Sequence, residues 1–185
     1  MKTIDMRFDQ NVVRKMIGQR FQKYRCDPFV FTKSVTQIVG FYIGDEVFKL
    51  TNIQETVDYY GITDDIAVFR IEPSEDTEIQ SAFVEVKQID TPVNGIIDRI
   101  ILVNERQQVF QNNEQTYDVW LTRGIIFEVD GREISFEKQN IPFSEEIDIL
   151  RGYELIEKYS NVKDFSEGWD PGVRAVATRE IVTIN

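Results

Sequence analysis

The feature that most constrains the fold of this chain is an Asp-Gly pair between two runs of alternating apolar residues. Asp130 and Gly131 can supply the two positive φ angles of a type I′ turn, which joins antiparallel strands through two residues. The register set by this turn places four apolar side chains on one face, as the pairs Phe127 with Ile134 and Ile125 with Phe136. The sequence therefore predicts a β-hairpin over 125–136 with one buried face.

The opposite face of this hairpin carries acidic residues. The same register places Glu128 directly opposite Glu133, and like charges in that position destabilise a strand pair. We therefore expect this face to be solvated, or to meet a cation such as Arg123, Lys138 or a side chain of a partner.

Period-two alternation recurs along the chain. A turn at Gly44-Asp45 would pair Phe41 with Phe48 and Val39 with Leu50. Further strands are predicted over 66–71, 79–89, 96–104, 145–151 and 173–184. The polar run over 104–115 is predicted as a loop, and it is the best place for a boundary if the chain contains two subdomains.

Two segments follow helical spacing instead. After Asp9, a residue type that caps helices, Val13, Ile17, Phe21 and Tyr24 recur at steps of four, four and three. This spacing predicts an amphipathic helix over 10–25 with a basic outer face, which ends at Asp27-Pro28 because a residue before proline is disfavoured in helices. A second, short helix is predicted near 153–160.

Together these elements predict an α+β fold that is mainly antiparallel β, either a sandwich or an open, barrel-like sheet. The N-terminal amphipathic helix and the short helix near 153–160 complete it. A length of 185 residues suits one domain, so residues 1–185 are predicted to form a single β-rich domain, with a possible subdomain boundary near 104–115.

Missing residue types exclude much of the common catalytic chemistry. The chain has no histidine and one cysteine, Cys26, which excludes Ser-His-Asp and Cys-His machinery, Cys/His zinc sites and an intrachain disulfide. Ser135 and Lys138 have the Ser-x-x-Lys spacing, but the third residue along a strand points to the opposite face. No catalytic residue, metal site or cofactor is predicted, and paired carboxylates such as Glu146 and Asp148 are the remaining acid-base groups.

Charge is distributed unevenly. The net charge is −11, yet residues 1–25 carry seven basic and two acidic side chains. Acids dominate residues 55–90 and 144–170, and we interpret them first as a solvated face. Arg14, Arg20 and Lys23 of the predicted helix form a candidate binding stripe. Direct nucleic-acid binding is disfavoured because the bulk charge has the wrong sign.

A second candidate binding segment is Gly168-Trp169-Asp170-Pro171-Gly172. A tryptophan in a turn rich in glycine and proline either closes one end of the core or stands exposed as a binding anchor. Trp169 and Asp170 are therefore candidate binding residues.

No activity is identified by these patterns. They favour an intracellular, cytoplasmic acidic β-rich module for binding or assembly, with a protein partner or a second copy of the chain and with no membrane contact; a small-molecule ligand is left open. One alternative is a carboxylate-based enzyme, with or without a divalent metal. Such an enzyme requires acidic side chains that converge in a cleft, at least one of them with a raised pKa. Another is an acidic mimic of nucleic acid that inhibits a DNA-binding protein.

Overall fold

The computed structural model describes residues 3–29, 32–59, 62–141 and 143–185. The strands are β1 (Ile4–Met6), β2 (Arg20–Cys26), β3 (Ser34–Thr36), β4 (Ile38–Ile43), β5 (Glu46–Tyr59), β6 (Ile62–Ser74), β7 (Ile89–Gln111), β8 (Glu114–Val129), β9 (Arg132–Lys138), β10 (Glu146–Gly152) and β11 (Val173–Ile184). One short helix, α1, spans Gln10–Arg14, and single 3₁₀ turns span Asp76–Glu78, Leu155–Lys158 and Val162–Ser166.

The eleven strands of the described residues belong to one open, mostly antiparallel sheet, in which nine follow the order β3-β10-β9-β8-β7-β2-β4-β5-β6 and β1 and β11 lie off this path. The long strand β7 pairs with β2 through its first part and with both β8 and β11 through its second. Strand β1 pairs with β8 in parallel. Within the described residues, β6 pairs only with β5 and β11 only with β7, so each leaves one edge without a strand partner.

Both predicted hairpins are confirmed. In the first, Phe41 pairs with Phe48 and Val39 with Leu50. In the second, Phe127 pairs with Ile134 and Ile125 with Phe136, and the turn residues Asp130 and Gly131 have φ angles of 50° and 73°. The positive φ values that the Asp-Gly pair predicts are therefore present.

The helix predicted over 10–25 is wrong beyond its first turn and a half. Asp9 caps it as expected, its side chain accepting a hydrogen bond from the backbone N–H of Asn11, but α1 ends at Arg14. Residues 20–26 form β2, in which Phe21, Tyr24 and Cys26 are buried. A β-bulge between Phe21 and Lys23 inserts one residue, so the buried positions are three apart and imitate a helical step. No helix in the described part of the chain is long and apolar enough to cross a bilayer.

Three other local expectations need correction. Residues 79–88 form no strand, and Phe83 and Val84 are exposed there. The run over 104–115 is not a loop: β7 continues to Gln111, and the chain turns at Asn112 and Asn113, whose φ angles are positive. The helix expected near 153–160 is a single 3₁₀ turn over Leu155–Lys158.

The main core lies on the face of the sheet that both hairpins share. Its centre is a group of fully buried aromatic rings, Phe21, Phe41, Phe127 and Phe136. Their centroids are 4.6 to 6.1 Å apart, mostly in edge-to-face arrangements, which aromatic pairs prefer.

The other face of β8 and β9 is covered by the segment after β10. The Tyr159 hydroxyl lies 2.9 Å from the Ser135 hydroxyl, and both side chains are buried. Gly124 makes this approach possible, because a Cβ atom there would lie 2.1 Å from the Tyr159 hydroxyl oxygen. This part of the hairpin is therefore covered by protein and not by water.

The two opposed acids of the hairpin find separate partners. Glu128 forms an ion pair with Arg99, and Glu133 accepts a hydrogen bond of 2.6 Å from the backbone N–H of Leu155. The negative charges of Glu128 and Glu133 are therefore compensated, as expected. The partners are Arg99 and a main-chain N–H, and not Arg123 or Lys138.

Candidate ligand-binding cleft

A cleft of about 270 Å³ lies where the open edge of β6 approaches β8. We call it the seam cleft. Its apolar wall consists of side chains from β1, β6 and β8: Met6, Ile66, Val68, Tyr117 and Leu121. Its inner end carries Gln107, Arg123, Lys138 and Gln139, and its rim is formed by Asp164, Phe165, Glu167 and Trp169. The seam cleft thus joins an apolar wall to a polar inner end.

Arg123 reaches the inner end because of a second β-bulge. Thr122 and Gly124 pair with the consecutive residues Asn104 and Val103 of β7, so Arg123 is the extra residue of β8. A bulge bends its strand and redirects the side chain at that point. The Arg123 side chain is consequently buried, with only 3% of its surface exposed.

The guanidinium of Arg123 is held by long ion pairs and one hydrogen bond. Its Nη2 lies 3.7 Å from Glu137 Oε1, its Nε lies 3.8 Å from Glu105 Oε2, and its Nη1 donates to the Gln139 carbonyl over 3.0 Å. Its buried Nε has no hydrogen-bond partner within the described residues. A buried donor without an acceptor is costly, so this N–H is the feature of the seam cleft that most needs a ligand.

Glu105 is engaged more closely by a different arginine. The Arg179 guanidinium donates to Glu105 Oε1 over 3.2 and 2.5 Å, and it also donates to the Ser160 carbonyl. Glu105 does not line the cleft. The negative charge of Glu105 is therefore compensated mainly by Arg179 and only weakly by Arg123.

Lys138 is the second buried cation of the inner end. Only 6% of the residue is exposed, and its ammonium donates to the Ile141 carbonyl over 3.4 Å. Burial lowers the pKa of Lys138 to about 8, and the positive charge of Arg123 acts in the same direction. Burial and the neighbouring cation therefore both weaken the preference of Lys138 for its charged form.

Glu137 lies behind Arg123 and does not line the cleft. Burial raises the pKa of Glu137 to about 7, opposed by Arg123 and assisted by Asp148, its neighbour on β10. Among the residues that the structure describes, the charged groups that line the inner end are two cations, whereas the acids that line the cleft, Asp164 and Glu167, are exposed at its rim. This arrangement makes the inner end attractive to an anion.

Trp169 stands at the rim with nearly half of its surface exposed. Its indole Nε1 donates to the Phe165 carbonyl over 2.6 Å, and its ring contacts the Phe165 ring edge-on at 5.6 Å. These contacts fix the indole and leave part of its apolar surface towards the cleft. Asp170, the other predicted residue of this segment, is exposed and does not line the cleft.

The basic residues predicted as a binding stripe do not share a helix face. Arg14 is at the end of α1, whereas Arg20 and Lys23 belong to β2, and none of the three lines the seam cleft. Each has a local partner: Arg14 donates to Gln10, Arg20 to the Asn94 carbonyl, and Lys23 to Asp90 over 2.6 Å. The Arg25 guanidinium also binds Asp90 and, with Lys23, lowers the pKa of that carboxyl to about 2.

The acid-rich segments are also partly neutralised. Besides Asp90, the acids of residues 55–90 with ion-pair partners among the described residues include Glu55 with Arg70, Glu72 and Glu78 with Lys49, and Asp76 with Arg25. Glu146 and Asp148 are alternate residues of β10, and their side chains converge, as alternate positions of a strand allow. Both accept a hydrogen bond from the Gln139 side-chain amide, over 2.9 and 3.1 Å. Among the residues that the structure describes, no cluster of three or more acidic or cysteine side chains could hold a metal ion.

Sequence reasoning did not assign Arg123, Lys138, Glu105 or Glu137 to a site. One signal was present: Lys138 has the same parity as Ile134 and Phe136 in β9, so a charged residue continues an apolar strand face. Lysine is seldom fully buried without a reason. The bulge that exposes Arg123 to the cleft has no comparable sequence signature.

Comparison with known proteins supplies no further assignment, so the residues of the seam cleft are interpreted from their own chemistry. No protein-family model, curated protein or solved structure matches this chain.

Proposed function

We propose that this protein is a binding module whose seam cleft takes a small organic anion with an apolar or aromatic body. The single observation that carries the proposal is the buried Arg123 Nε–H, which has no hydrogen-bond partner within the described residues and belongs to a side chain lining the cleft. An acceptor oxygen of a bound anion would satisfy it.

The charges of the inner end support an anion. Arg123 and Lys138 line it, whereas Glu105 and Glu137 do not. A guanidinium presents a planar set of donors that suits a carboxylate or a phosphate, and its attraction increases away from water. A carboxylate at the inner end would add negative charge beside the buried Arg123 guanidinium, whose Nε–H has no hydrogen-bond partner within the described residues.

The wall and rim support an apolar or aromatic body. Tyr117, Leu121 and Val68 face the cavity along one side, and Trp169 and Phe165 stand at its entrance. A few convergent polar groups in an otherwise apolar cavity are typical of small-molecule sites. The volume of about 270 Å³ is just below the range of about 300–1,000 Å³ for drug-sized ligands, which favours a smaller molecule.

Binding fits this geometry better than catalysis by paired carboxylates. The acid with a raised pKa, Glu137, lies behind Arg123 and outside the cleft lining. Inhibition by mimicry of nucleic acid has less support, because several acids of residues 55–90 are occupied by ion pairs within the chain.

The test is a titration with phenylacetate followed by NMR at the arginine Nε–H signals. We expect the Arg123 Nε–H signal to shift and to saturate at one phenylacetate molecule per protein molecule. Phenylacetamide, which has the same ring and no charge, should bind about tenfold more weakly or worse, since charge-assisted hydrogen bonds contribute about 1.5–3 kcal/mol.

Variants at two exposed aromatic residues provide the matched control. Trp169→Ala should weaken phenylacetate binding about tenfold, as loss of an aromatic anchor costs more than about 1 kcal/mol. Phe83→Ala, which removes an exposed ring from the 79–88 loop outside the cleft, should not. Equal binding of the amide, or signal changes that avoid Arg123, would contradict the proposal.

A further inference from the structure

The open edge of β6 forms one wall of the seam cleft. Consecutive residues of this strand, from Ile66 to Phe69, line the cleft, although successive side chains of a strand point to opposite faces. A run of consecutive lining residues therefore indicates that the strand presents its main-chain edge to the cavity. A second cavity, of about 220 Å³, is lined by the next part of the strand, residues 68–72, together with residues 5–9. The edge of β6 is consequently bordered by cavities over residues 66–72.

The main-chain groups along this edge have no main-chain partner in the described part of the chain. There β6 pairs only with β5, and in an antiparallel pair alternate residues direct their N–H and C=O groups away from the partner strand. Among the described residues, no other backbone–backbone hydrogen bond reaches residues 66–72. Ala67, Val68 and Phe69 are nevertheless buried, so water has little access to this edge. Buried main-chain groups without partners are costly, and an extended peptide could pair with a whole row of them.

Arg123 provides a specific place for the end of such a peptide. Its buried side chain lines the same cleft, and its Nε–H has no hydrogen-bond partner within the described residues. Guanidinium N–H groups bind carboxylates through charge-assisted hydrogen bonds, and an extended peptide with a free carboxyl terminus ends in a carboxylate. The apolar wall with Val68 and Leu121 suits an apolar side chain on the last residue. Addition of a strand to an open sheet edge is an established mode of peptide recognition.

We propose that the seam cleft binds the free carboxyl terminus of another protein, whose last residues lie extended along the edge of β6. This inference rests on the proposed function and specifies its ligand, since the terminal carboxylate is the organic anion and the last side chain is its apolar body. The carboxylate accepts from the Arg123 Nε–H, and alternate residues of the peptide exchange main-chain hydrogen bonds with β6. The carboxyl-terminal segment of this chain is engaged elsewhere, because Thr183 and Ile184 pair with β7.

A synthetic pentapeptide, acetyl-Ser-Ala-Val-Ala-Phe with a free carboxylate, tests this by isothermal titration calorimetry. Its carboxamide form has the same residues without the terminal charge, and it should bind at least about tenfold more weakly. Acetyl-Ala-Phe, which keeps the carboxylate and pairs with less of β6, should also bind at least about tenfold more weakly. Equal affinity of either control peptide for the protein would overturn the inference.

N-methylation along the pentapeptide distinguishes strand pairing from other binding modes. Each methyl group removes one N–H donor, and only alternate N–H groups of an extended peptide face β6. We expect the loss of affinity to alternate along the peptide, about tenfold at every second position and little between them. Losses that do not alternate would contradict pairing with β6.

Hydrogen exchange gives the matching measurement on the protein. The amides of residues 66–72 that are not bonded to β5 should exchange at least about tenfold more slowly when the pentapeptide is bound. Strand β11 is the internal control, because within the described residues it also has one edge without a strand partner and does not line the cleft. Protection along β11 and not along β6 would place the peptide elsewhere and refute the inference.

The phenylacetate titration separates this inference from the proposed function. If phenylacetate shifts the Arg123 signal and the pentapeptide does not bind, the anion site stands and recognition of a carboxyl terminus is overturned. If the pentapeptide binds with alternating losses and phenylacetate does not bind, strand pairing at β6 stands and the proposed small-anion ligand fails.

Discussion

The two faces of β9 are nearly equally buried, but they are stabilised in different ways. On one face, Ile134 and Phe136 are 5% and 0% exposed, and they pack into the aromatic core. On the other face, Ser135 and Glu137 are 0% and 9% exposed, and they contact Tyr159 and Arg123. Alternation along a strand therefore predicted the polarity of each face and not its exposure. The polar face is buried because residues 153–159 cover it.

The largest effect should come from the apolar face. Phe136→Ala should lower the free energy of unfolding by about 3–5 kcal/mol, because it removes a fully buried ring and leaves a cavity. Ser135→Ala, one residue away on the polar face, should cost about 1 kcal/mol, the net contribution of a typical hydrogen bond. Urea denaturation of both variants measures the contrast, with Phe136→Leu as the milder substitution if the alanine variant does not fold. Equal costs at the two positions would contradict the distinction between the faces.

The next largest effect should come from removing Arg123, the buried cation of the polar face. Arg123→Met should lower the free energy of unfolding by about 3 kcal/mol, because it leaves Glu137 buried without its cation. The matched change Arg99→Met removes the partner of Glu128 from a side chain that is 42% exposed, and it should cost about 0–1 kcal/mol. Thermal and urea unfolding of the pair measure the effect of burial. A similar loss of unfolding free energy in both variants would mean that water screens the ion pairs of Arg123.

Titration of Glu137 sharpens the comparison further. Because its pKa rises from 4.5 to about 7 on folding, the folded state holds this proton more tightly than the unfolded state does. The stability contributed by protonated Glu137 is present below about pH 4.5 and is lost as the pH rises through about 7, a change on the order of 3 kcal/mol. Glu137→Gln should remove this part of the pH dependence.

The measurement is urea unfolding at several pH values below about 8, the region in which Lys138 adds little slope. Above that, the lowered pKa of Lys138 makes stability rise with pH, since the unfolded state then binds more protons. A difference between wild type and Glu137→Gln that does not vary from pH 5 to pH 7.5 would show that Glu137 titrates normally.

The smallest effect concerns the turn that joins β8 to β9. Gly131 has a φ of 73° and nothing lies within 4 Å of the position of a Cβ atom, so any cost of substitution comes from the backbone alone. Gly131→Val should lower the free energy of unfolding by about 1 kcal/mol or more, whereas Gly131→Asn should cost less because asparagine tolerates positive φ. Unchanged urea midpoints for both variants would mean that the turn does not require a left-handed residue.

Local signals in the sequence were sufficient where neighbouring residues settle the structure. The Asp130-Gly131 and Gly44-Asp45 turns fix their hairpins, since a turn type and an alternating pattern define the register. The same reasoning failed at residues 20–26, because the bulge at Phe21–Lys23 changes the spacing of buried side chains from two to three. Alternation over 79–89 predicted a strand that is absent, and the structure gives Phe83 and Val84 no apolar cover.

The candidate site could be predicted only in fragments. The Gly/Pro-rich surroundings of Trp169 identified it as a residue to inspect, and it stands at the rim of the seam cleft. Arg123 and Lys138 were recognised as cations near the hairpin, but not as neighbours in a cavity. Arg123 and Lys138 lie on the paired strands β8 and β9, but the cleft that they line is completed by β6 and the 162–166 turn, which are distant from this hairpin in sequence.

The sequence by itself determined a β-rich chain, its two tight hairpins and the absence of histidine-based chemistry, because each follows from residue type and local spacing. Only the tertiary structure decided which polar residues are buried and which of them meet. An open sheet edge at β6, a bulge at Arg123 and the cover over Ser135 and Glu137 arise from long-range pairing. Burial depends on which distant segments pack against a residue. The alternation of residue types along a strand indicates the direction of a side chain but not what that side chain contacts.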